Sequence, residues 1–186
     1  NIRVAEKHGV EVVEDNSDEA FESYLALLKQ TTNRQQFYAH GESYHRNMWQ
    51  IMKAAGIARL LKATYQGEVL TTWILFYYKN RLYYPYGASS RKHREVMASN
   101  LVMWKAIQFG KSLGAHSFDL WGALGPNPDP RDPWFGFHNF KLGYGGDQTE
   151  FVGSYDLVIN PPLYMLYTHL DTWRWRWLKL RSKLPF

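Results

Sequence analysis

The spacing of apolar residues changes several times along the chain, and each change marks the border of a predicted element. Apolar residues at helical spacing predict a helix after an N-cap at 16–19, another after Ser43, and a third from Arg94 or Glu95 to Leu113. Residues 1–8 predict the end of a helix that Gly9 closes. Short apolar runs between turn residues predict strands at 10–13, 57–65, 68–78, 81–86, 116–121 and 149–159.

Turn residues complete this outline. The dipeptides Gln66-Gly67 and Lys79-Asn80 predict two tight turns, so residues 57–86 are expected to form an antiparallel meander. Residues 122–146 hold many Gly, Pro and Asp and predict a long loop, which at that length is typical of a functional segment. Asn160 and the two prolines after it predict the start of a last helix that runs to about Arg181.

The predicted order is helix, helix, three antiparallel strands, long helix, strand, loop, strand, helix. This is the layout of the GCN5-related N-acyltransferase fold, an α/β fold in which a mixed, mostly antiparallel sheet is split around a central helix and flanked by helices. The 186 residues suit a single domain over 1–186. Because no Met opens the chain and the chain starts within a helix, we expect it to be part of a longer protein.

Composition narrows the possible functions. Aromatic residues make up 17% of the chain, which suits core packing or stacking surfaces, and a net charge of +5 favours phosphate-bearing partners. The chain has no cysteine, which excludes disulfides and thiolate metal sites and fits a cytoplasmic protein. Neither an H-E-x-x-H motif nor a G-x-S-x-G elbow occurs, and we predict no metal and no other cofactor.

The stretch before the long helix bears on coenzyme A. Enzymes of this fold usually hold the coenzyme's pyrophosphate in a Gly-rich turn, R/Q-x-x-G-x-G/A, at the start of that helix. The corresponding stretch here, Ser-Ser-Arg-Lys-His-Arg-Glu at 89–95, has no glycine. Without a glycine, the backbone does not let a pyrophosphate approach as closely, which argues against coenzyme A. A coenzyme A-dependent N-acyltransferase is therefore kept as the alternative prediction.

Four sequence patterns follow one another over most of the chain. The first two are Tyr-Pro-Tyr-Gly-Ala-Ser-Ser at 84–90 and Ser-Leu-Gly at 112–114, the latter followed by Phe-Asp-Leu-Trp-Gly at 118–122. The other two are Gly-Phe-His-Asn-Phe-Lys-Leu-Gly-Tyr-Gly-Gly at 136–146 and Gly-Ser-Tyr-Asp-Leu-Val at 153–158 with Asn-Pro at 160–161. In this order and spacing, the chain resembles the Fem family of aminoacyl-tRNA-dependent transferases that build peptidoglycan bridges.

The resemblance implies a function and an organisation. The family joins two acyltransferase-like domains with the precursor bound between them, and this chain resembles the second domain, with the first domain absent from the sequence. The implied reaction moves an amino acid from aminoacyl-tRNA to the stem-peptide amine of a UDP-linked or lipid-linked muropeptide, in the synthesis of the cell-wall cross-bridges that support cell shape. The other alternative is a non-catalytic module that binds tRNA or the precursor.

The Phe-Lys pair of the third pattern is the candidate catalytic centre. The resemblance to the Fem family implies that Phe140 and Lys141 face the aminoacyl ester. A fixed ammonium at Lys141 would stabilise the oxyanion that forms when an amine attacks the ester, and Phe140 would help to exclude water. The alternative for Lys141 is an ordinary solvated loop lysine.

Four further residues are candidate substrate ligands. Family members with a nucleotide-linked precursor carry Arg-x-x-x-Tyr before the helix that is predicted after Ser43. The corresponding residues in this chain are His40 and Tyr44, and the missing arginine weakens the expected contact with the diphosphate. Tyr86 and Asp119 lie at predicted strand ends, where a phenol and a carboxylate could contact substrate. The alternatives are a loop His, a helix-start Tyr, and an Asp that caps a loop or pairs with a lysine.

Basic residues form two further clusters. Arg91, Lys92 and Arg94 lie at the predicted helix start, where they would suit a phosphate of the tRNA acceptor end, although a solvated charge run is the simpler explanation. The segment Trp-Arg-Trp-Arg-Trp at 173–177 alternates aromatic and basic residues. It is expected to pack against the absent domain or to contact the inner leaflet of the membrane.

Overall fold

The computed structural model describes residues 1–35 and 40–181, which form two compact units. Residues 1–35 and 40–122 form the first unit, and residues 123–181 belong to the second. The elements of the first unit are α1 (Ile2–Lys7), β1 (Glu11–Glu14), α2 (Asp18–Gln35), α3 (Glu42–Ala54), β2 (Ala58–Tyr65), β3 (Glu68–Tyr78), β4 (Arg81–Ser89), α4 (Ala98–Ser112) and β5 (Ser117–Asp119). Those of the second unit are α5 (Phe135–Leu142) and α6 (Pro161–Arg181).

The first unit contains a five-stranded sheet in the order β1-β2-β3-β4-β5. Neighbouring strands are antiparallel except for β4 and β5, which run parallel. The two predicted turns join β2 to β3 and β3 to β4, and all four of their residues have φ between 48° and 79°, as tight hairpin turns require. The meander predicted at 57–86 is therefore confirmed.

The sheet splits where β5 ends. Strand β5 pairs only with the first three residues of β4, Arg81–Tyr83. In the part of the chain that the structure describes, β4 beyond Tyr83 has no partner on that side. The sheet is thus mixed, mostly antiparallel and open between β4 and β5, as predicted.

Helices cover both faces of the sheet. On one face, α2 and α3 bury a cluster that includes Phe21, Tyr24, Trp49, Leu60 and Ile74, each at most 5% exposed. On the other face, α4 packs against β2 and β3 and also contacts α1. Because helices cover the sheet on both faces, β4 is held firmly in place. This strand carries one of the candidate site residues, Tyr86.

An irregularity in β4 decides where its tyrosines point. Phe76 pairs with Tyr83 and Ile74 with Tyr86, so two residue steps on β3 face three steps on β4, which defines a β-bulge. The extra residue lets Tyr84 and Tyr86 take opposite faces. Tyr84 stacks on Trp73 at 3.7 Å between ring centroids, whereas Tyr86 lies beside Phe76 at 6.2 Å.

Two predicted helix starts are wrong. Ser43 does not cap α3, because the N-cap is Gly41 and Ser43 lies within the helix. The long helix begins at Ala98 rather than at Arg94 or Glu95, after a 3-10 turn at Arg94–Val96 and a left-handed Met97 with φ of 56°. Arg91, Lys92 and Arg94 therefore precede the helix instead of opening it, and the dipole of α4, which acts mainly within its first turn, bears less on them.

Two predictions in the second unit also fail. The long loop predicted at 122–146 contains the helix α5, and the strand predicted at 149–159 is absent, since all of these described residues are irregular. The last helix is confirmed with the predicted bounds. No described helix is long and apolar enough to cross a membrane.

Candidate active site

Three of the predicted binding residues lie together in the first unit. Tyr44, in the first turn of α3, and Tyr86, just after the bulge of β4, share a hydrogen bond of 2.9 Å between their hydroxyl oxygens. The ring of His40 stacks on that of Tyr44, with centroids 4.0 Å apart. The result is a partly exposed patch that presents two phenols and an imidazole, suited to hydrogen bonds with amide and carbonyl groups.

His45 is a fourth member of this group and was not among the residues predicted from the sequence. Its side chain is 2% exposed, and its ring lies 5.4 Å from that of Tyr44 and 5.2 Å from that of Tyr86. Its Nδ1 atom forms a hydrogen bond of 3.2 Å with the hydroxyl of Tyr24 on α2. Burial, and then the nearby His40, lower the pKa of His45 to about 4, so the imidazole is neutral at neutral pH.

The signal for His45 was present in the helical spacing. The buried residues of α3 are His45, Met48 and Trp49, whereas Ile51 of the same helix is 67% exposed. Positions 45, 48 and 49 follow the i, i+3, i+4 rule, with a histidine in an otherwise apolar stripe. A buried histidine within such a stripe points either to a satisfied core residue or to a site.

Two buried or half-buried tyrosines at this patch stay neutral. Burial, followed by the hydrogen bond that it shares with Tyr44, raises the pKa of Tyr86 above its ordinary value. Burial also raises the pKa of Tyr24. Each hydroxyl can therefore donate as well as accept a hydrogen bond over the whole physiological range.

Lys141 lies in the last turn of α5 in the second unit and is only 5% exposed. Its Nζ atom lies 3.9 Å from the centroid of the Phe137 ring, a cation–π contact one helical turn away. The alternative of a solvated loop lysine is thus wrong. Phe140 is half-buried, with its ring centroid 5.4 Å from that of Tyr144. A lysine that is buried with its Nζ against an aromatic ring is rare and suits a functional ammonium.

Asp119 ends β5 and forms a local turn. Its Oδ1 accepts a hydrogen bond of 2.7 Å from the backbone N–H of Trp121, whose φ is 66°. The carboxylate is exposed and supports this left-handed turn, which matches the loop-capping alternative. Its role in substrate binding stays a prediction.

A model of the acetyltransferase (GNAT) domain matches residues 1–133, well over half of the chain. The chain belongs to the acetyltransferase (GNAT) domain family. The match covers the sheet, its helices and the tyrosine pair, and the predicted acyltransferase fold is confirmed. Lys141 lies beyond the matched residues, within the pattern that carries the Fem resemblance.

Individual relatives of this GNAT chain confirm the resemblance to the Fem family. A lipid II:glycine glycyltransferase of Staphylococcus saprophyticus is 31% identical over 105 residues, which is 56% of this chain and 25% of that protein. The crystal structure of FemX has a TM-score of 0.78 and 20% identity, covering 89% of this chain and 57% of that one. The chain spans about a quarter of the length of the curated relatives it matches.

The GNAT fold is also shared with smaller acetyltransferases. An aminoglycoside 6'-N-acetyltransferase of Acinetobacter haemolyticus has a TM-score of 0.59 and 14% identity, covering 81% of this chain and 99% of that one. At this identity the likeness concerns the fold alone.

The basic cluster of the GNAT domain has a partner of its own. The Nζ of Lys92 lies 2.8 and 3.1 Å from the two carboxylate oxygens of Glu68, while Arg91 and Arg94 are exposed. Among the described residues, no group of three or more His, Asp or Glu side chains is arranged to hold a metal ion.

Proposed function

We propose that this chain is the second acyltransferase-like domain of a two-domain enzyme that moves an amino acid from aminoacyl-tRNA to the stem-peptide amine of a peptidoglycan precursor. The burial of Lys141 beside Phe137 carries the proposal, because it gives the Fem-like Phe-Lys pattern a desolvated ammonium. The glycyltransferases among its relatives bear names that fit this reaction.

Lys141 would act on the ester of the donor. The lone pair of the acceptor amine attacks the ester carbonyl carbon, and the carbonyl oxygen becomes an oxyanion. The ammonium of Lys141 stabilises that charge, a contact worth about 3–4 kcal/mol in a water-poor site. Collapse of the intermediate breaks the bond to the tRNA ribose oxygen, which takes the proton released by the amine. Phe140 would shield the ester from water, which would otherwise hydrolyse it.

Tyr44 and Tyr86 would hold the acceptor. Their paired hydroxyls are partly exposed, and each can donate as well as accept a hydrogen bond, so they can bind the amide groups of a stem peptide. His40 stacks on Tyr44 in the place where family members carry an arginine. Because an imidazole cannot bind phosphate through two parallel hydrogen bonds as a guanidinium can, we expect the precursor's diphosphate to add little affinity here, whether it is UDP-linked or lipid-linked.

The exposed basic residues would complete the donor site. Arg91, Lys92 and Arg94 would contact phosphates of the tRNA acceptor end, with Lys92 exchanging its ion pair with Glu68 for one with the nucleic acid. Three exposed tryptophans of α6, Trp173, Trp175 and Trp177, would contact the first domain or the inner membrane leaflet. The enzyme would act in the cytoplasm.

A transfer assay with separate donors tests the proposal. The full-length protein is given radiolabelled glycyl-tRNA or alanyl-tRNA together with a nucleotide-linked or a lipid-linked muropeptide, and labelled product is quantified. We expect product with at least one charged tRNA, and loss of that product after ribonuclease treatment of the donor. Transfer from acetyl-CoA to the same acceptor, with none from any charged tRNA, would instead establish the coenzyme A-dependent alternative. Binding of both substrates without any product would instead support the alternative of a non-catalytic binding module.

A further inference from the structure

His45 lies directly beneath the tyrosine pair proposed to bind the acceptor. We propose that His45 is a positioning residue, which holds Tyr44 and Tyr86 in the orientation that pairs their hydroxyls, and which Tyr24 anchors from α2. The inference rests on the proposed function, since it assigns to His45 an effect on the acceptor through these two tyrosines.

The ring geometry supports this role. The His45 ring meets that of Tyr44 at 89° and that of Tyr86 at 82°, so both phenols lie nearly perpendicular to the imidazole at 5.2–5.4 Å between centroids. Edge-to-face contacts of this kind are directional as well as attractive. A phenol that turned away from its partner would lose its contact with His45, so the imidazole favours the paired arrangement of the two hydroxyls.

Tyr24 fixes the imidazole from the opposite side. Its fully buried hydroxyl is hydrogen-bonded to Nδ1 of His45 at 3.2 Å, and its ring lies 5.7 Å from the imidazole at 67°. This contact joins α2 to α3 beneath the patch. The hydrogen bond restrains rotation of the imidazole about χ2, which packing alone would restrain less, because an imidazole and its flipped form fill nearly the same space.

Stability alone would not favour a histidine at this position. The Nε2 atom of His45 is buried and has no hydrogen-bond partner among the described residues, whichever ring nitrogen carries the proton. Such an atom is costly, and a phenylalanine would fill a similar space without that cost. What a histidine offers here and a phenylalanine does not is the hydrogen bond to Tyr24. That hydrogen bond orients the ring against the tyrosine pair.

The titratable side chains in ring contact with His45 are three phenols and one further imidazole. They are Tyr24 on α2, His40 before α3, Tyr44 on α3 and Tyr86 on β4. Burial lowers the pKa of His45 itself to about 4, so its ring is neutral near neutral pH, and acceptor binding should not vary with its titration there.

Two single substitutions and one background test the inference. His45→Phe keeps a ring of similar size, and Tyr24→Phe removes only the hydroxyl; each is made in the wild-type protein and in Tyr44→Phe. Binding of a nucleotide-linked muropeptide is measured by calorimetry, and KM and kcat for that acceptor are measured in the transfer assay. We expect each single change to weaken binding and raise KM roughly tenfold with little change in kcat, and to add less than twofold in the Tyr44→Phe background.

The outcomes separate this inference from the proposed function. If Tyr44→Phe weakens muropeptide binding while His45→Phe and Tyr24→Phe change only the melting temperature, His45 is merely structural and the inference is overturned. If Tyr44→Phe and Tyr86→Phe leave muropeptide binding unchanged, the acceptor site itself is wrongly assigned, and the inference falls with it. Should His45→Phe fold poorly, Tyr24→Phe still tests the anchoring bond.

Discussion

The two units of this chain use apolar residues in opposite ways. In the first unit, helices cover both faces of the sheet, and Leu60, Ile74 and Leu75 are fully inaccessible. In the second unit, a similar run of apolar residues at 151–159 remains exposed, with Leu157 and Ile159 both at 89%. The local sequence is comparably hydrophobic, but among the described residues only the first unit supplies partner strands and covering helices.

This difference explains why one region follows sequence rules better than the other. A strand needs a neighbour to satisfy its backbone, and a lone apolar segment gains nothing from becoming one. Likewise, α6 carries apolar residues around its circumference, so no single face is marked for burial; Leu166, Leu170 and Trp173 are all more than half exposed. Exposed apolar residues of this kind are what we expect if a second domain, as proposed above, covers these segments.

The largest contrast should come from matched truncations in the two units. Ile74→Ala removes a fully buried side chain from the central strand and should lower the free energy of unfolding by about 2–5 kcal/mol. Ile159→Ala should change it by less than about 0.5 kcal/mol, because that side chain is exposed. Urea unfolding followed by tryptophan fluorescence measures both. Similar losses for the two variants would contradict the contrast between the units.

A pH dependence should be specific to the first unit. The folded protein keeps the pKa of His45 near 4, below the ordinary value of 6.5, so between these values the unfolded chain binds a proton that the folded chain does not. Stability should therefore fall as pH drops from 6.5 to 4, by no more than about 3 kcal/mol.

The control for this effect is His45→Phe. Thermal melts at half-unit pH intervals should give a flatter profile between pH 6.5 and 4 for His45→Phe than for the wild type. Carboxylates also titrate in this pH range, and the pKa of Asp15 is lowered. These carboxylates are present in both proteins, so their effects on stability cancel in the comparison. Parallel profiles would mean that His45 is protonated as readily in the folded protein as in the unfolded one.

A glycine in each unit offers a smaller contrast. A Cβ at Gly87 would lie 2.0 Å from the hydroxyl oxygen of Tyr84, whose ring is held by stacking on Trp73. Gly87→Ala should destabilise the protein by about 1–3 kcal/mol through overpacking. Gly136→Ala, in α5, meets no atom within 4 Å and should be neutral or stabilising by up to about 1 kcal/mol. Calorimetric melting temperatures would show the difference, and an unchanged Gly87→Ala variant would mean that Tyr84 moves freely.

Helix caps should give the smallest contrast. The Ser17 hydroxyl accepts a hydrogen bond of 3.1 Å from the N–H of Ala20 at the start of α2, and the Asn160 side chain accepts one of 3.2 Å from Leu163 at the start of α6. Ser17→Ala should cost about 1 kcal/mol of global stability. Asn160→Ala should fray α6 without moving the main unfolding transition, as hydrogen exchange at the two helix starts would reveal. A shift of that transition by Asn160→Ala would tie the stability of α6 to that of the sheet.

Sequence patterns predicted the sheet well because its signals are local. The dipeptides at 66–67 and 79–80 fix the hairpins, and the apolar run between them marks the central strand, in which residues 70–75 are all buried. The bulge of β4 escaped prediction because it shifts pairing by one residue without changing the apolar pattern, although Pro85 within a strand is a typical companion of such an irregularity. That shift is what brings Tyr86 to Tyr44.

The site was only partly predictable. His40 and Tyr44 were selected from the family pattern and Tyr86 from its place at a predicted strand end. The three lie together, whereas the buried His45 was overlooked. Helix α5 was hidden in a Gly- and Pro-rich segment, yet Asp132 and Pro133 just before it are a typical helix start, and the Asp132 carboxylate accepts a hydrogen bond of 2.7 Å from the N–H of Trp134. The burial of Lys141 depends on packing around α5, which no local pattern reports.

The most direct test of the account is the single-turnover rate of amino-acid transfer from charged tRNA to the muropeptide, compared between the wild type, Lys141→Met and the control Lys105→Met. Lys105 is an exposed lysine of α4, so its substitution changes net charge without touching the proposed site. We predict that Lys141→Met slows transfer roughly 100- to 1,000-fold, with muropeptide affinity and melting temperature close to those of the wild type, and that Lys105→Met does not. A folded Lys141→Met protein that transfers at the wild-type rate would contradict the account.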